Sequence, residues 1–252
     1  MTIRLIRLVL FGMAVAVIAA GLPAVYAAMP VFGAHPLPYG DMINQLGPAE
    51  RHVTNMVSAV NFDFRGFDTL GEEIMLMTAV TGTAVLLRGS RGEEMTAKPA
   101  TIPGRLIPPH SEALLIAGRL AVPVTTLFGL YVVLHATVTP GGGFQGGVII
   151  ASGVLLRYLG EGYESWRRLM RNALLDAFEG SGAAVYAIAG LVPMLSGAAF
   201  LTNTMPLGHL KQMMSGGLML VLNFGVGFAV VGGFGILFVE FLEETRAEED
   251  HA

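Results

Sequence analysis

Cysteine is absent from all 252 residues of the chain. Its absence excludes a disulfide, a thiolate metal site, a Cys-ligated iron–sulfur cluster and a Cys nucleophile, so any redox chemistry coupled to this chain resides on another subunit. Charge is also scarce. Asp, Glu, Lys and Arg make up 13% of the sequence, about half of the roughly 25% carried by water-soluble domains. The 15 basic and 19 acidic residues give a net charge of −4 and form no block of one sign, which leaves no electrostatic footprint for nucleic acid. No Ser-His-Asp order, His-x-x-x-His spacing or glycosidase-like carboxylate pair can be assembled from the remaining polar residues. The chain is therefore expected to be no independent enzyme, with no cofactor and no metal of its own. What it has in quantity is apolar: 53% of residues are hydrophobic and the mean hydropathy is +0.62. The expected fold is an all-α polytopic membrane protein.

A spanning helix needs about 20 largely apolar residues. Six windows meet that template, at 8–29, 69–87, 113–138, 144–159, 183–201 and 216–242, the second and fourth being short. Arg4 and Arg7 ahead of the first window also suit a signal peptide. Its apolar run exceeds a usual signal core, so an uncleaved anchor is expected. Lys and Arg accumulate on the cytoplasmic side of such membranes. Arg4, Arg7, Arg88, Arg91, Lys98, Arg105, Arg157, Arg167, Arg168, Arg171 and Arg246 fall at alternate ends of the windows, whereas Arg51, Arg65 and Lys211 fall opposite. Both termini are thus expected in the cytoplasm of a prokaryotic cell, with 30–66 and the turn at Gly141 outside. Arg119, the one basic residue within a window, shares a helix face with Glu112 and is expected to snorkel to the headgroups.

Between the windows, Tyr163, Trp166, Met170, Ala173, Leu174, Ala177 and Phe178 recur at helical spacing. They predict an interfacial helix over 162–178 with Trp166 at headgroup depth. Val53, Met56, Val57 and Val60 predict a second surface helix over 49–60. Segment 33–48 reads as a loop and 89–109 as a linker. The expected organisation is a two-span module at 1–88, a cytoplasmic linker at 89–111, a four-span domain at 112–243 and an acidic tail at 244–252.

The third and fourth windows are joined by Pro140-Gly141-Gly142-Gly143-Phe144-Gln145-Gly146-Gly147. No strand precedes these glycines and no Lys follows them, so they do not form a phosphate loop. Gly142 with Gly146, and Gly143 with Gly147, are pairs of small residues spaced to let helices approach in lipid. A tight packed hairpin is one reading; unwound backbone lining a polar cavity is the other. In the last window Asn223 is expected to make an interhelical hydrogen bond, while Gly225, Ala229 and Gly232 offer a small-residue face to a neighbour. His135 reads either as a satisfied interfacial histidine or as a proton carrier. His209 and Lys211 read as a solvated turn.

Thr69-Leu70-Gly71-Glu72 fits a capping box, in which Thr69 would cap the helix and Glu72 reach back. Glu72 and Glu73 also suit the positive end of a helix. A carboxylate at the start of an apolar span is nevertheless costly unless paired or hydrated, and such groups mark ion and proton routes. Glu72, Glu73, Asp68 and His135 are the candidates. Asp63, Arg65 and Asp68 read as a local ion-paired cluster holding the turn before the helix, next to Gly66.

His135-Ala-Thr137-Val-Thr139 running into the glycine octapeptide resembles the signature of the B-type component (MnhB/MrpB) of the Mrp-type (Mnh) multisubunit sodium/proton antiporters. Leu222-Asn223-Phe224-Gly225-Val226-Gly227-Phe228 is similar to a pattern in the last helix of that component. The stretch from Asn61 to Glu72, containing Asp63-Phe64-Arg65-Gly66-Phe67-Asp68-Thr69-Leu70-Gly71-Glu72, resembles a signature near the C-terminus of the large A-type component of the same antiporters and in a small component of membrane-bound hydrogenases. These resemblances imply a fusion of that module to an MnhB/MrpB-type component, and they rank Glu72 ahead of Glu73 as an ion-path residue. They imply other hydrophobic subunits and membrane lipid as partners, and H+ with a monovalent cation, sodium foremost, as cargo. The alternatives they leave are a membrane component of a hydrogenase or respiratory oxidoreductase, and a bracing subunit that carries no ion.

Overall fold

The structure, a computed structural model, describes residues 3–29, 38–94 and 112–244. Most of the expected linker and the acidic tail lie outside them. Every regular element among the described residues is helical, as lipid requires of a chain that does not close a barrel. The chain divides into two units, 1–42 and 43–252. The first holds α1 (Ile3–Ala27), apolar on every side and with Pro23 inside it. None of its apolar window is buried, so lipid or another chain must cover it. α2 (Pro38–Arg51) starts in this unit and ends in the next.

In the second unit α3 (Met56–Ala59) runs into a π-helical turn (Val60–Phe64) and then α4 (Gly66–Glu94). α5 (Glu112–Leu134), α6 (Gly143–Glu161), α7 (Tyr163–Leu169) and α8 (Asn172–Leu191) follow, α8 being extended by a 3-10 turn (Val192–Ser196). α9 (Leu218–Glu244) completes the order. By length and composition α1, α4, α5, α8 and α9 can each cross a membrane. α6, with its many glycines, is less apolar, yet it runs back along α5 level by level. A Cβ on Gly146 would meet the Val133 N at 3.3 Å, one on Gly129 the Gly146 O at 2.7 Å, and one on Gly160 the Gly118 Cα at 3.3 Å. α6 therefore lies against α5 through most of its length.

α9 is the most buried of the spanning helices and packs on α4, α6 and α8. Small residues allow this. A Cβ on Gly147 would lie 2.8 Å from the Val230 Cβ, and one on Gly182 2.7 Å from the Ala229 Cβ. The face of Gly225, Ala229 and Gly232 expected from the sequence thus lies against α8. Around α9 are two apolar clusters. One, at the glycine-turn end, contains Val53, Phe62, Tyr186, Met219, Leu222, Val226 and Val230. The other, at the arginine-bearing end, contains Val80, Ala84, Tyr158, Trp166, Leu175, Ile236 and Val239. Leu76 packs against both.

Several local expectations are corrected. The helix expected over 162–178 is two helices, because Met170 and Arg171 leave helical backbone geometry between α7 and α8. Trp166 is fully buried against Tyr158 and Tyr163, and the fifth span starts at Asn172. The pattern over 49–60 is split by His52, whose φ of 55° is left-handed, and by Asn55, which caps α3 through its side-chain oxygen. The loop expected over 33–48 turns helical at Pro38, a residue suited to a first turn. Finally, α4 begins at Gly66, so Thr69 and Glu72 lie inside the helix and form no capping box.

Candidate functional site

The glycine turn is held by a strap from the front of the chain. Backbone N–H groups of Thr54 and Asn55 donate to the Thr137 carbonyl at 3.1 and 3.2 Å, and the Thr54 hydroxyl donates to Val138 O at 2.6 Å. The Asn55 amide donates to the carbonyls of Ala136, Thr139 and Gly141 at 2.7 to 2.9 Å. Gly141 has φ +115° and a Cβ there would lie 2.8 Å from Val132, which is why the turn requires glycine at this point. On the far side Asn223 of α9 accepts the Gly143 N–H at 2.9 Å and donates to the Ser58 hydroxyl at 3.0 Å and to Met219 O at 2.8 Å. The interhelical role expected of Asn223 is therefore met twice over, toward α6 and toward α3.

Behind this turn lies a cavity of about 330 Å³. Its wall brings together Ser58 and Asn61, Thr69, Glu72 and Glu73 of α4, Gly141, Gly142 and Gly143 with Phe144 and Gln145, and Asn223 with Val226. Both stretches that the sequence singled out meet here, although they lie far apart along the chain. The two readings of the glycine segment are both realised: Gly146 and Gly147 pack helices, while Gly141 to Gly143 line the cavity.

The two carboxylates differ sharply in burial. Glu73 is 7% exposed and Glu72 is far more open, because α4 turns its 66, 69, 73, 76, 80 stripe inward at the 3.6-residue period. Burial singles out Glu73, whereas the motif ranks Glu72 first, and both line the cavity. Among the described residues no hydrogen bond or ion pair engages Glu73. The cavity offers it hydroxyl, amide and carbonyl neighbours, a set that can hold a proton, a water or a monovalent cation; among the described residues no three His, Cys, Asp or Glu converge as a metal site.

The remaining candidates lie elsewhere. Asp68 is exposed and pairs with Arg65, whereas Asp63 pairs with Arg51, so the expected three-residue cluster is two separate pairs. They flank a second cavity of about 760 Å³, lined in part by Arg51, Asp63, Arg65, Gly66, Leu201 and Asn203. His135 bonds back to Tyr131 O at 2.9 Å through Nδ1 and packs on the Tyr131 ring, outside the carboxylate cavity. Pro140 is exposed at the turn, Phe144 meets the Phe234 ring edge-on, and Gly225 and Gly227 are buried helix contacts. Arg119, expected to reach headgroups, is exposed and pairs with Glu161, which also binds Arg157 and Ser165. Nearby, the Tyr163 hydroxyl donates to Glu243 at 2.9 Å; burial and this carboxylate push its pKa up to about 12.

Sequence reasoning missed Asn55, Ser58, Glu179 and Glu240. The last was readable as a carboxylate inside an apolar helix; Asn55 and Ser58 carried only the signal of an Asn three residues before a possible cap donor.

Comparison with known proteins gives these features a family. Residues 113–236 match the model described as "Domain related to MnhB subunit of Na+/H+ antiporter". An uncharacterized protein of Methanocaldococcus jannaschii is 30% identical over 207 residues, covering 76% of this chain and 78% of that protein. The chain belongs to the MnhB-related family. A Rhizobium meliloti protein described as the A/B subunit of a probable K(+)/H(+) antiporter is 30% identical over 124 residues, covering 43% of this MnhB-related chain but only 12% of the Rhizobium protein. Among solved structures, a chain of the membrane-bound sulfane sulfur reductase, an archaeal respiratory membrane complex, superposes with a TM-score of 0.72 at 28% identity. The match spans 95% of this chain and 99% of that one. A chain of the Mrp complex from Dietzia sp. DQ12-45-1b superposes with a TM-score of 0.70 at 23% identity, over 98% of this chain and 27% of that one, a likeness of fold.

Proposed function

We propose that this chain is a transport subunit of a multisubunit complex that couples proton movement to that of a monovalent cation across a prokaryotic membrane, and that the Glu73 cavity is where the subunit meets the ion. The single observation behind the site is a carboxylate only 7% exposed, at the wall of a polar cavity, with no ion-pair partner among the described residues. Intramembrane carboxylates are expensive and mark ion or proton routes. The family description names Na+ and the Rhizobium relative names K+, so these are the two cations to test. Redox centres, where the complex has them, sit on other subunits, and the front module with Glu72 and Glu73 is the part fused ahead of the MnhB-related domain.

A second reading is favoured by one specific observation: the likeness to the sulfane sulfur reductase chain spans nearly the whole of both chains. In that reading the same subunit serves the membrane arm of a respiratory complex. Both readings give Glu73 the same task. In membrane vesicles containing the assembled complex, Glu73→Gln abolishes cation-coupled proton movement, while Glu72→Gln retains part of it. Wild-type coupling in both variants would refute the ion-site reading and leave a bracing subunit.

A further inference from the structure

Glu179 lies on α8, within a span, and nothing described so far uses it. Its Oε1 is buried and accepts no hydrogen bond. The carboxyl lies over Gly233 of α9, 3.5 Å from where a Cβ would stand, with Val80 and Leu76 of α4 on the same glycine at 3.2 and 3.7 Å. Glu73 precedes Leu76 by one turn on the same face of α4, and the two carboxylates are within electrostatic reach of each other. The location is the junction between the two apolar clusters, where Leu76 packs against both.

We propose that a proton passes between Glu73 in the cavity and Glu179 in the seam of α4, α8 and α9, so that this subunit carries a proton route of its own. The proposal rests on the reading of the Glu73 cavity as an ion site. Leu76 and Val80 share the Gly233 site with the Glu179 carboxyl, and among the described residues no three His, Cys, Asp or Glu converge there, whereas a metal ion requires several ligands; a proton requires one. In the transfer the O–H bond of the Glu73 acid breaks and one forms on the Glu179 carboxylate, with water from the cavity bridging them. The pair keeps one proton and one negative charge throughout. The ionisable groups within electrostatic reach of Glu179 are Glu73 from α4 and Asp176 from α8, while Glu72 and Tyr186 lie within reach of Glu73. On α9, Glu240 is fully buried seven residues beyond Gly233 on the same face, about 10 Å further toward the arginine-bearing end. All are acids, and no cation is paired with Glu179 among the described residues. Glu240 is the next station on this line.

The test uses the assembled complex in proteoliposomes, with proton flux driven by a Na+ or K+ gradient, and infrared difference spectra between acid and alkaline buffer. Glu179→Gln is expected to lower flux at least about tenfold and to remove one carboxylic C=O band while shifting the Glu73 band. Glu73→Gln removes the other band. Normal flux in Glu179→Gln with lost flux in Glu73→Gln would overturn the route and leave the cavity reading intact; normal flux in both would remove both. If Glu179→Gln fails to assemble, Glu179→Asp keeps the acid one methylene shorter. Slower flux with a shifted band supports the route, and wild-type flux with an unmoved band overturns it.

Discussion

Asn223 accepts the backbone N–H of Gly143 at 2.9 Å inside a fully buried seam. The same amide reaches Ser58, so a single side chain ties the glycine turn to the helix that precedes the acidic motif. Asn223→Ala leaves a buried N–H without an acceptor, which costs about 1–3 kcal/mol. The solubilised complex should therefore lose thermal stability, and Asn223→Asp, which keeps the acceptor, should lose less. A melting curve for the assembled complex decides this.

Glycine substitutions should split into two classes. Gly143→Ala places a Cβ on the α9 backbone, and Gly147→Ala one 2.8 Å from Val230; both should lower the yield of assembled complex. Gly180→Ala, with nothing within 4 Å, should be neutral or stabilising by up to about 1 kcal/mol. Yields measured side by side would contradict the packing account if all three behaved alike.

Topology is testable without background, because the chain has no cysteine of its own. Arg168 and Met214 are both exposed, at opposite ends of the second unit. The excess of arginine at the first end predicts that it faces the cytoplasm. An impermeant thiol reagent on intact cells should label Met214→Cys and spare Arg168→Cys; the reverse pattern inverts the orientation.

Tyr163 sets an alkaline limit. Its folded pKa of about 12 stands above the unfolded value near ~10. The stability it contributes is therefore complete below the unfolded value and lost as pH rises through the folded one. Wild-type stability should fall more steeply than that of Tyr163→Phe over that window, read from unfolding midpoints in a pH series. Parallel curves would mean that the Glu243 bond contributes nothing.

The spans were legible because twenty-residue apolar runs have few other uses, and the glycine octapeptide announced close packing. What stayed hidden had particular causes. The apolar period of 162–178 continues across Met170 and Arg171, and a change of backbone direction leaves no trace in a period. Trp166 looks the same in sequence whether it meets headgroups or Tyr158. The contrast between Glu72 and Glu73 depends on where α4 begins: a start at Thr69 makes Glu72 a cap, and a start at Gly66 makes Glu73 the inward residue. Glu179 lies among residues that read as the end of a surface helix, so its place in a span became visible only with the true start of α8.

The π-helical turn at Val60–Phe64, together with Arg65 at φ −135° and ψ 38°, sets the register in which α4 enters the bundle. Such a turn holds one residue more than an α-turn would, and each residue rotates an α-helix by about 100°. Without that extra residue the stripe turned toward α9 would be Phe67, Leu70, Ile74 and Met77 in place of Gly66, Thr69, Glu73 and Leu76. That alternative is apolar throughout and would close a greasier, conventional helix seam. A shift of one residue in register thus separates a bundle sealed by apolar side chains from one that keeps an acid in its interior.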